Sequence, residues 1–294
     1  MSARGRARLE IVGAAALFST GGAVIKSTTL SGWQVAGLRS GIAALAVLLL
    51  LPAARRRWTW RTLLVAVAYA TCLILYVTAN KLTTAADTIF LQSTGPIYIL
   101  LLAPWLLRER TSREDLIVLG VMVVGLLCFF LGAEAPLRSA PDPATGNLLA
   151  AGAGLAWAFV VMGLRWLGRS AGPEVADPAM SAVALGNILA CLAALPFGLP
   201  IVHATASDWG AVLFLGVVQI GVAYLLMSRA VRQLPAFEAS VLLLIEPALN
   251  PFWAWLVQGE VPGVWALSGG GLILGASLAK SWFDARGATP AEVA

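Results

Sequence analysis

Long apolar runs recur along the whole chain, and polar residues are confined to short intervals between them. A helix needs about 20 mostly apolar residues to cross the hydrocarbon core of a bilayer. The runs lack the apolar–polar alternation of membrane β-strands, so they predict helices, which satisfy their own backbone in lipid. Ten helices are predicted, over Ile11–Ser27, Trp33–Leu51, Leu63–Asn80, Thr88–Leu107, Leu116–Gly132, Leu148–Trp166, Ala179–Ile201, Trp209–Met227, Ala239–Val257 and Trp265–Phe283. The expected fold class is an all-α membrane protein.

Composition agrees with this pattern. Of the 294 residues, 59% are hydrophobic and only 12% are charged, whereas an average soluble domain has about 25% charged residues. The connections between the runs are short, so they leave no room for a soluble catalytic or nucleotide-binding domain. The net charge of +5 would suit a nucleic-acid partner, but the distribution of the basic residues argues against one.

The basic residues are sorted by side. If the N-terminus is cytoplasmic, the cytoplasmic segments contain Arg4, Arg6, Arg8, Arg55, Arg56, Arg57, Arg61, Arg108, Arg110, Arg113, Arg165, Arg169, Arg229, Arg232, Lys280 and Arg286. The opposite side has only Lys26, Lys81 and Arg138, and Arg39 lies within the second helix. The positive-inside rule therefore predicts a multi-pass protein of the bacterial inner membrane with both termini cytoplasmic. The basic N-terminus could also begin a signal peptide, but its apolar run continues into the polytopic pattern.

An internal repeat relates the two halves of the chain. A shift of 151 residues superposes the segment around Pro96 on the segment around Pro247, and it brings Glu109 onto Glu260 and Asp87 onto Glu238. We therefore divide the chain into two five-helix repeats, residues 1–138 and 139–294. Because five is odd, the second repeat is predicted to be inverted in the membrane. Inverted repeats are typical of secondary transporters with a midplane site; a duplicated scaffold or receptor is the alternative.

The two Pro-x12-Glu blocks, Pro96 to Glu109 and Pro247 to Glu260, each open into a glycine-rich helix. With Arg39 in GLRSGIAAL and Trp157 in LAWAFV, they resemble the drug/metabolite transporter (DMT) superfamily in its EamA-type ten-helix branch. Tyr69 in YATCLIL and Tyr224 in GVAYLL resemble the YddG-type amino-acid exporters. That resemblance implies an aromatic residue before the proline of the fourth helix, where this chain has Gly95. The departure favours a broader, neutral amino-acid range over strictly aromatic substrates.

Polar and aromatic residues within the predicted spans are candidates for the transport pathway, because polar groups avoid lipid. Helical spacing places several of them on shared faces. Asp87 is instead expected near a helix end, with its carboxyl in reach of water. The predicted substrate-binding residues are Tyr69, Tyr76, Asn80, Gln92, Gly95, Trp157, Gln219, Tyr224, Glu246 and Asn250. Pro96 and Pro247 are predicted hinges, because a proline frees backbone groups within a span; a packing kink is the alternative.

Glu246 is a carboxyl about halfway along the predicted ninth helix. It could carry a proton or hold a substrate ammonium group. The alternative is a structural glutamate paired with another helix, for example through Arg39. Glu260, at a helix end, is expected to bind nearby N–H groups instead of substrate.

The function predicted from these features is a secondary transporter that exports neutral amino acids by alternating access, with aromatic amino acids as a further candidate group. Efflux of drugs or other metabolites is the alternative. The scattered polar positions do not form a catalytic pair, so no enzyme is expected. No cofactor and no metal site are expected either, because the chain has no Walker motif, one histidine, and three cysteines that all lie in apolar runs. The predicted partners are the lipid bilayer, the small-molecule substrate and, as a candidate coupling ion, the proton. A monomer is expected.

Overall fold

The computed structural model describes residues 3–55, 58–106, 113–131, 138–169, 178–231, 233–234, 239 and 242–287. These residues form helices and turns, with no β-strand among them. The helices are α1 (Ala3–Ser19), α2 (Gly21–Ser27), α3 (Gly32–Leu50), α4 (Trp60–Leu82), α5 (Ala85–Gln92), α6 (Gly95–Leu106), α7 (Arg113–Leu131), α8 (Pro143–Arg169), α9 (Pro178–Gly198), α10 (Ala206–Leu213), α11 (Ala223–Ala230), α12 (Ile245–Gln258) and α13 (Val264–Gly287). A 3-10 turn, Pro52–Arg55, follows α3, and a π-helical segment, Phe214–Val222, joins α10 to α11.

Eight stretches are long and apolar enough to cross a membrane, and they coincide with the first eight predicted helices. They are Arg4–Ser27, Gly32–Leu50, Trp60–Leu82, Ala85–Leu102, Arg113–Leu131, Pro143–Leu167, Ala179–Gly198 and Ala206–Ala230. The all-helical membrane architecture is thus confirmed. The ninth predicted helix corresponds to α12, which has 14 residues. The tenth corresponds to the apolar stretch Val264–Lys280, which is shorter than a full span. The count of ten, the two-repeat division and the inverted relation stay predictions. Arg56, Arg57, Arg108, Glu109, Arg110, Arg232 and Glu238 lie outside the described residues.

Side-chain caps fix where several helices begin. The Ser31 hydroxyl accepts from the Gln34 N–H at 3.3 Å, and the Gln34 side chain accepts from the Ser31 N–H at 3.0 Å. Thr205 and Asp208 form the same reciprocal capping box before α10. These bonds satisfy N–H groups that the first turn of a helix leaves unpaired. At the other terminus, α12 ends at Gly259, whose φ of 70° is a left-handed conformation that glycine adopts without strain.

Three predicted helices are interrupted by a turn: the first at Thr20, between α1 and α2, and the fourth and ninth within their first third. The predicted fourth helix is wrong as a continuous element: α5 ends at Gln92, Ser93 and Thr94 form a turn, and α6 begins at Gly95. The physical reason is Pro96, which has no N–H to donate and clashes with the carbonyl four residues earlier. The predicted ninth helix has a turn at Leu244, directly before α12. The shift of 151 residues brings Ser93 onto Leu244, so the two breaks occupy equivalent positions.

Helices of the two halves pack against each other through small residues. The most extensive pairs are α4 with α8, α3 with α9, and α7 with α13. In the last pair, a Cβ added at Gly269 would lie only 2.6 Å from the carbonyl oxygen of Gly125. Small residues let helices approach closely in a bilayer, where backbone contact and dispersion replace the hydrophobic effect.

The outer faces of the spans carry large apolar side chains that no protein atom covers. Examples are Leu49, Trp105, Leu131, Leu192 and Val264. An apolar surface of this extent is unfavourable in water and is solvated by lipid. Several polar residues inside the spans, among them Arg39, Asn80 and Asn250, are instead buried within the bundle.

We expect Gly269→Ala to destabilise the bundle, because the new methyl group would meet backbone and the Phe129 ring at less than 3 Å. Overpacking of this kind costs about 1–3 kcal/mol. Gly271→Ala is the matched control, since nothing lies within 4 Å of its Cβ position, and alanine favours a helix over glycine by about 1 kcal/mol. Thermal unfolding in detergent should show a lower midpoint for Gly269→Ala alone. Equal midpoints for both variants would contradict the close α7–α13 packing.

Candidate functional site

Three tyrosines on α4 and α11 form the aromatic part of a cluster in the middle of the bundle. Tyr69 donates its hydroxyl hydrogen to the Tyr224 hydroxyl at 3.1 Å, and their rings meet edge to face with centroids 6.4 Å apart. Phe18 packs against Tyr224 in the same manner at 5.2 Å. Tyr76 lies two turns beyond Tyr69 on the same face of α4 and is buried as well. The heptad spacing read from the sequence therefore corresponds to one buried aromatic face.

Two asparagines continue this face with amide groups. Asn250 on α12 donates to the Tyr76 hydroxyl at 3.4 Å, and Asn80 donates to the Tyr76 carbonyl at 3.0 Å. The Oδ1 atoms of both asparagines are buried and have no hydrogen-bond donor among the described residues. Both atoms lie against Gly22, where an added Cβ would be 2.8 Å from one and 3.1 Å from the other. Gly22 therefore gives α2 the close approach that keeps these acceptors buried beside it.

Glu246 joins the cluster from the second residue of α12, directly after the helix break. No hydrogen bond or ion pair links its carboxylate to any described residue. Cys72, Tyr76 and Tyr224 are close enough to the Glu246 carboxyl to interact with it electrostatically. The alternative that Glu246 forms a structural pair with Arg39 finds no support, because no ion pair joins these two described residues. Pro247 follows in the first turn of α12, as Pro96 does in α6.

Arg39 is the charged member of the cluster that the sequence analysis did not include among the candidate site residues. It lies on α3, is 2% exposed, and comes within electrostatic reach of Tyr69, Tyr76, Tyr224 and Cys72. Its position in the middle of an apolar run was the available signal, because charged residues inside spans face the bundle interior. We call Arg39, Tyr69, Tyr76, Asn80, Tyr224, Glu246 and Asn250 the central cluster.

The remaining predicted site residues border the central cluster or lie apart from it. Gln92 donates to the Cys72 sulfur at 3.3 Å, and Gln219 donates to the Phe18 carbonyl at 3.3 Å. Trp157 is 36% exposed on α8 and packs against Gly95. A Cβ at Gly95 would be 3.1 Å from the indole. Gly95 and Trp157 thus form a contact between α6 and α8.

Polar contacts bridge the end of the bundle that contains Lys26, which we call the Lys26 end. Lys26 forms an ion pair with Glu260 at 2.9 Å, with side chains only 2% and 5% exposed, and also donates to the Ser139 carbonyl. Glu260 accepts from the Ala85 N–H at 2.9 Å, so the prediction that it binds nearby N–H groups is confirmed. Asp87, expected in reach of water, is buried at 6% exposure. Its carboxylate accepts from the Thr83 hydroxyl, a local partner that replaces water.

The opposite end of the bundle, which we call the Arg229 end, contains a cavity of about 480 Å³. It is lined by the end of α3, the 3-10 turn, the start of α9 and the end of α11; its lining includes Leu51, Pro52, Met180, Leu225 and Arg229. This end is bridged as well, since Lys280 of α13 forms an ion pair with Asp115 of α7 at 2.9 Å, so the cavity is what distinguishes it from the Lys26 end.

Substitution of Glu260 tests whether the Lys26–Glu260 ion pair stabilises the Lys26 end. Glu260→Gln keeps an acceptor for the Ala85 N–H but leaves the Lys26 ammonium buried without its counter-charge. We expect a loss of about 3–5 kcal/mol in stability. The double variant Lys26→Met with Glu260→Gln should recover a large part of this loss, because no uncompensated charge remains. Thermal unfolding in detergent measures both; a double variant as unstable as Glu260→Gln alone would contradict the role of the ion pair.

Comparison with known proteins gives this architecture a family. The model of the EamA-like transporter family matches residues 7–131 and 144–280. Two relatives, each named pseudopaline exporter CntI and found in Pseudomonas aeruginosa strains UCBPP-PA14 and PAO1, are 28% identical over 279 residues, which cover 90% of this chain and 92% of each relative. A crystal structure matches with a TM-score of 0.62 at 19% identity, covering 95% of this chain and 98% of that one. The chain is a multi-pass membrane protein that belongs to the EamA-like transporter family of the DMT superfamily.

Proposed function

We propose that this chain is a secondary transporter that exports neutral amino acids across the bacterial inner membrane by alternating access. The observation that carries the proposal is Glu246, a carboxylate without a partner among the described residues, at a helix break beside Tyr76 and Tyr224. An α-amino acid carries an ammonium group that such a carboxylate attracts. Tyrosine rings suit the apolar side chains of neutral and aromatic amino acids.

The break before α12 supports a transport site at this depth. Discontinuous helices at the midplane are typical of secondary transporters, because freed backbone groups can bind substrate or ions there. The equivalent break before α6 and the pairing of helices between the two halves support two inverted repeats. The family match in two segments, residues 7–131 and 144–280, agrees with that division.

The two ends of the bundle support alternating access. Polar contacts around Lys26 and Glu260 hold the Lys26 end together. The cavity at the Arg229 end is lined in part by Leu225, the chain neighbour of Tyr224, and in this proposal water and solute enter from that end. In the exporter proposed here, both termini and the Arg229 end face the cytoplasm, and Pro96 and Pro247 act as hinges. The transporter works as a monomer without a cofactor.

Export of a different metabolite is the second candidate function. It is favoured by the relatives at 28% identity, whose name assigns them pseudopaline as substrate. Competition separates the two candidates, since a site for neutral amino acids is blocked by leucine or methionine and a site for an unrelated metabolite is not.

Uptake into liposomes tests the proposed function directly. Radiolabelled Leu, Met, Ala and Phe are offered to the purified protein in liposomes, with and without an imposed pH gradient. We expect saturable uptake that unlabelled amino acids compete away, and stimulation by the gradient if protons are the coupling ion. Uptake no greater than in empty liposomes under both conditions would contradict amino-acid transport.

Glu246→Gln should abolish this flux while leaving the fold intact, because the amide neither carries a proton nor attracts an ammonium group. Glu114→Gln, on the exposed start of α7, is the matched control and should transport as the parent protein does. Size-exclusion profile and thermal midpoint establish that each variant is folded. Parent-level uptake by folded Glu246→Gln would remove this carboxylate from the mechanism.

A further inference from the structure

Arg39 is a cation buried within a membrane-spanning helix. It is the eighth of the 19 residues of α3, well inside the span. Val35 and Ala43 flank it on the same face, one turn to either side, and both are fully buried. Val35 belongs to the apolar core around Cys72 and Tyr76, whereas Ala43 belongs to the one around Tyr69 and Tyr224. The guanidinium thus lies where the two apolar cores meet.

Within the part of the chain that the structure describes, no hydrogen-bond acceptor contacts the Arg39 guanidinium. Its Nε and Nη1 atoms are buried and have no hydrogen-bond partner among the described residues, and no carboxylate forms an ion pair with it. The titratable groups within its electrostatic reach are three tyrosine hydroxyls and the Cys72 thiol, all neutral at physiological pH. By contrast, Lys26, whose side chain is also buried, has the carboxylate of Glu260 at 2.9 Å.

An unpaired cation at this depth is costly, because a bilayer-embedded charge normally finds a counter-charge or a water-filled cavity. Guanidinium groups bind carboxylates through two parallel N–H···O bonds. A guanidinium offers such donor pairs along its Nε–Nη2 and Nη1–Nη2 edges, and each edge contains one of the two Arg39 atoms that have no partner among the described residues. Tyr76, Tyr224 and Cys72 lie within electrostatic reach of both Arg39 and Glu246. The two opposite charges therefore face the same aromatic region without neutralising each other.

We propose that Arg39 binds the carboxylate of the transported solute in the central cluster, so that the site selects zwitterions. This inference rests on the proposed function, in which Glu246 holds the ammonium group. The solute's carboxylate lies on the α3 side of the site, and its side chain lies against the tyrosines. Cationic amines without a carboxylate leave the guanidinium unpaired and bind poorly. The site thereby distinguishes amino acids from the cationic drugs that Glu246 alone would also attract.

Substitution of Arg39 tests the inference. Arg39→Gln should raise the KM for leucine uptake roughly 10- to 100-fold, the loss expected for a charge-assisted pair. Inhibition of residual uptake by leucinamide, which has the amine but no carboxylate, should stay at its parent value. Arg39→Lys should restore part of the leucine affinity, because it keeps the charge but loses the two-pronged geometry. Arg113→Gln, on the exposed start of α7, is the matched control.

The parent protein provides a second test that does not depend on any variant folding. Leucinamide should compete with leucine uptake at least roughly tenfold more weakly than unlabelled leucine does, and 4-methylpentanoate, which keeps only the carboxylate, should also compete. Equal competition by leucinamide and leucine, or a parent KM in folded Arg39→Gln, would overturn the role of Arg39 while amino-acid transport stands. Absence of leucine uptake by the parent protein would instead overturn the proposed function on which the inference rests.

Discussion

Arg39 and Glu246 are ionisable groups of opposite sign inside an apolar bundle, and neither has an ion-pair partner among the described residues. A low-dielectric interior makes each charge costly, and the cost falls only when a counter-charge or water reaches it. Direct pairing of the two residues would remove this cost and would also fill the site. In our proposal, a solute with both an ammonium group and a carboxylate supplies the missing counter-charge to each of them.

The helix breaks at Ser93–Thr94 and Leu244 lie close in the chain to two candidate site residues, Gly95 and Glu246. In a bilayer, irregular backbone is tolerated only where protein or a cavity covers it. The turns at Ser93–Thr94 and Leu244 lie inside the bundle, next to Gly95 and Glu246, and each precedes a proline. Because of the second break, α12 begins at Ile245 and Glu246 lies in its first turn. The same prolines that interrupt the helices therefore set where the carboxylate and the freed backbone lie.

The two ends of the bundle differ in the contacts between their helices. Around Lys26, buried charges are paired and backbone N–H groups are capped, so this end resists opening. Around Arg229, a cavity lies among the ends of α3 and α11 and the start of α9. Helices of the two halves contact each other extensively, as α3 does with α9 and α7 with α13. Rocking of one half against the other would exchange the closed and open ends.

Most of the membrane-spanning helices could be predicted from the sequence alone, because a bilayer constrains the length and polarity of the segments that cross it. The need for long apolar runs fixed the first eight spans, and the spacing of Tyr69, Tyr76 and Asn80 fixed one polar face of α4. The two prolines were recognised, but the full break of the predicted fourth helix was not, since a proline in a span either bends or interrupts it. Tertiary structure decided which charges pair. Lys26 pairs with Glu260, 234 residues away in the chain, whereas Nε and Nη1 of Arg39 have no acceptor among the described residues. Pairing depends on the relative positions of helices distant in the chain, and local periodicity carries no information about those distances.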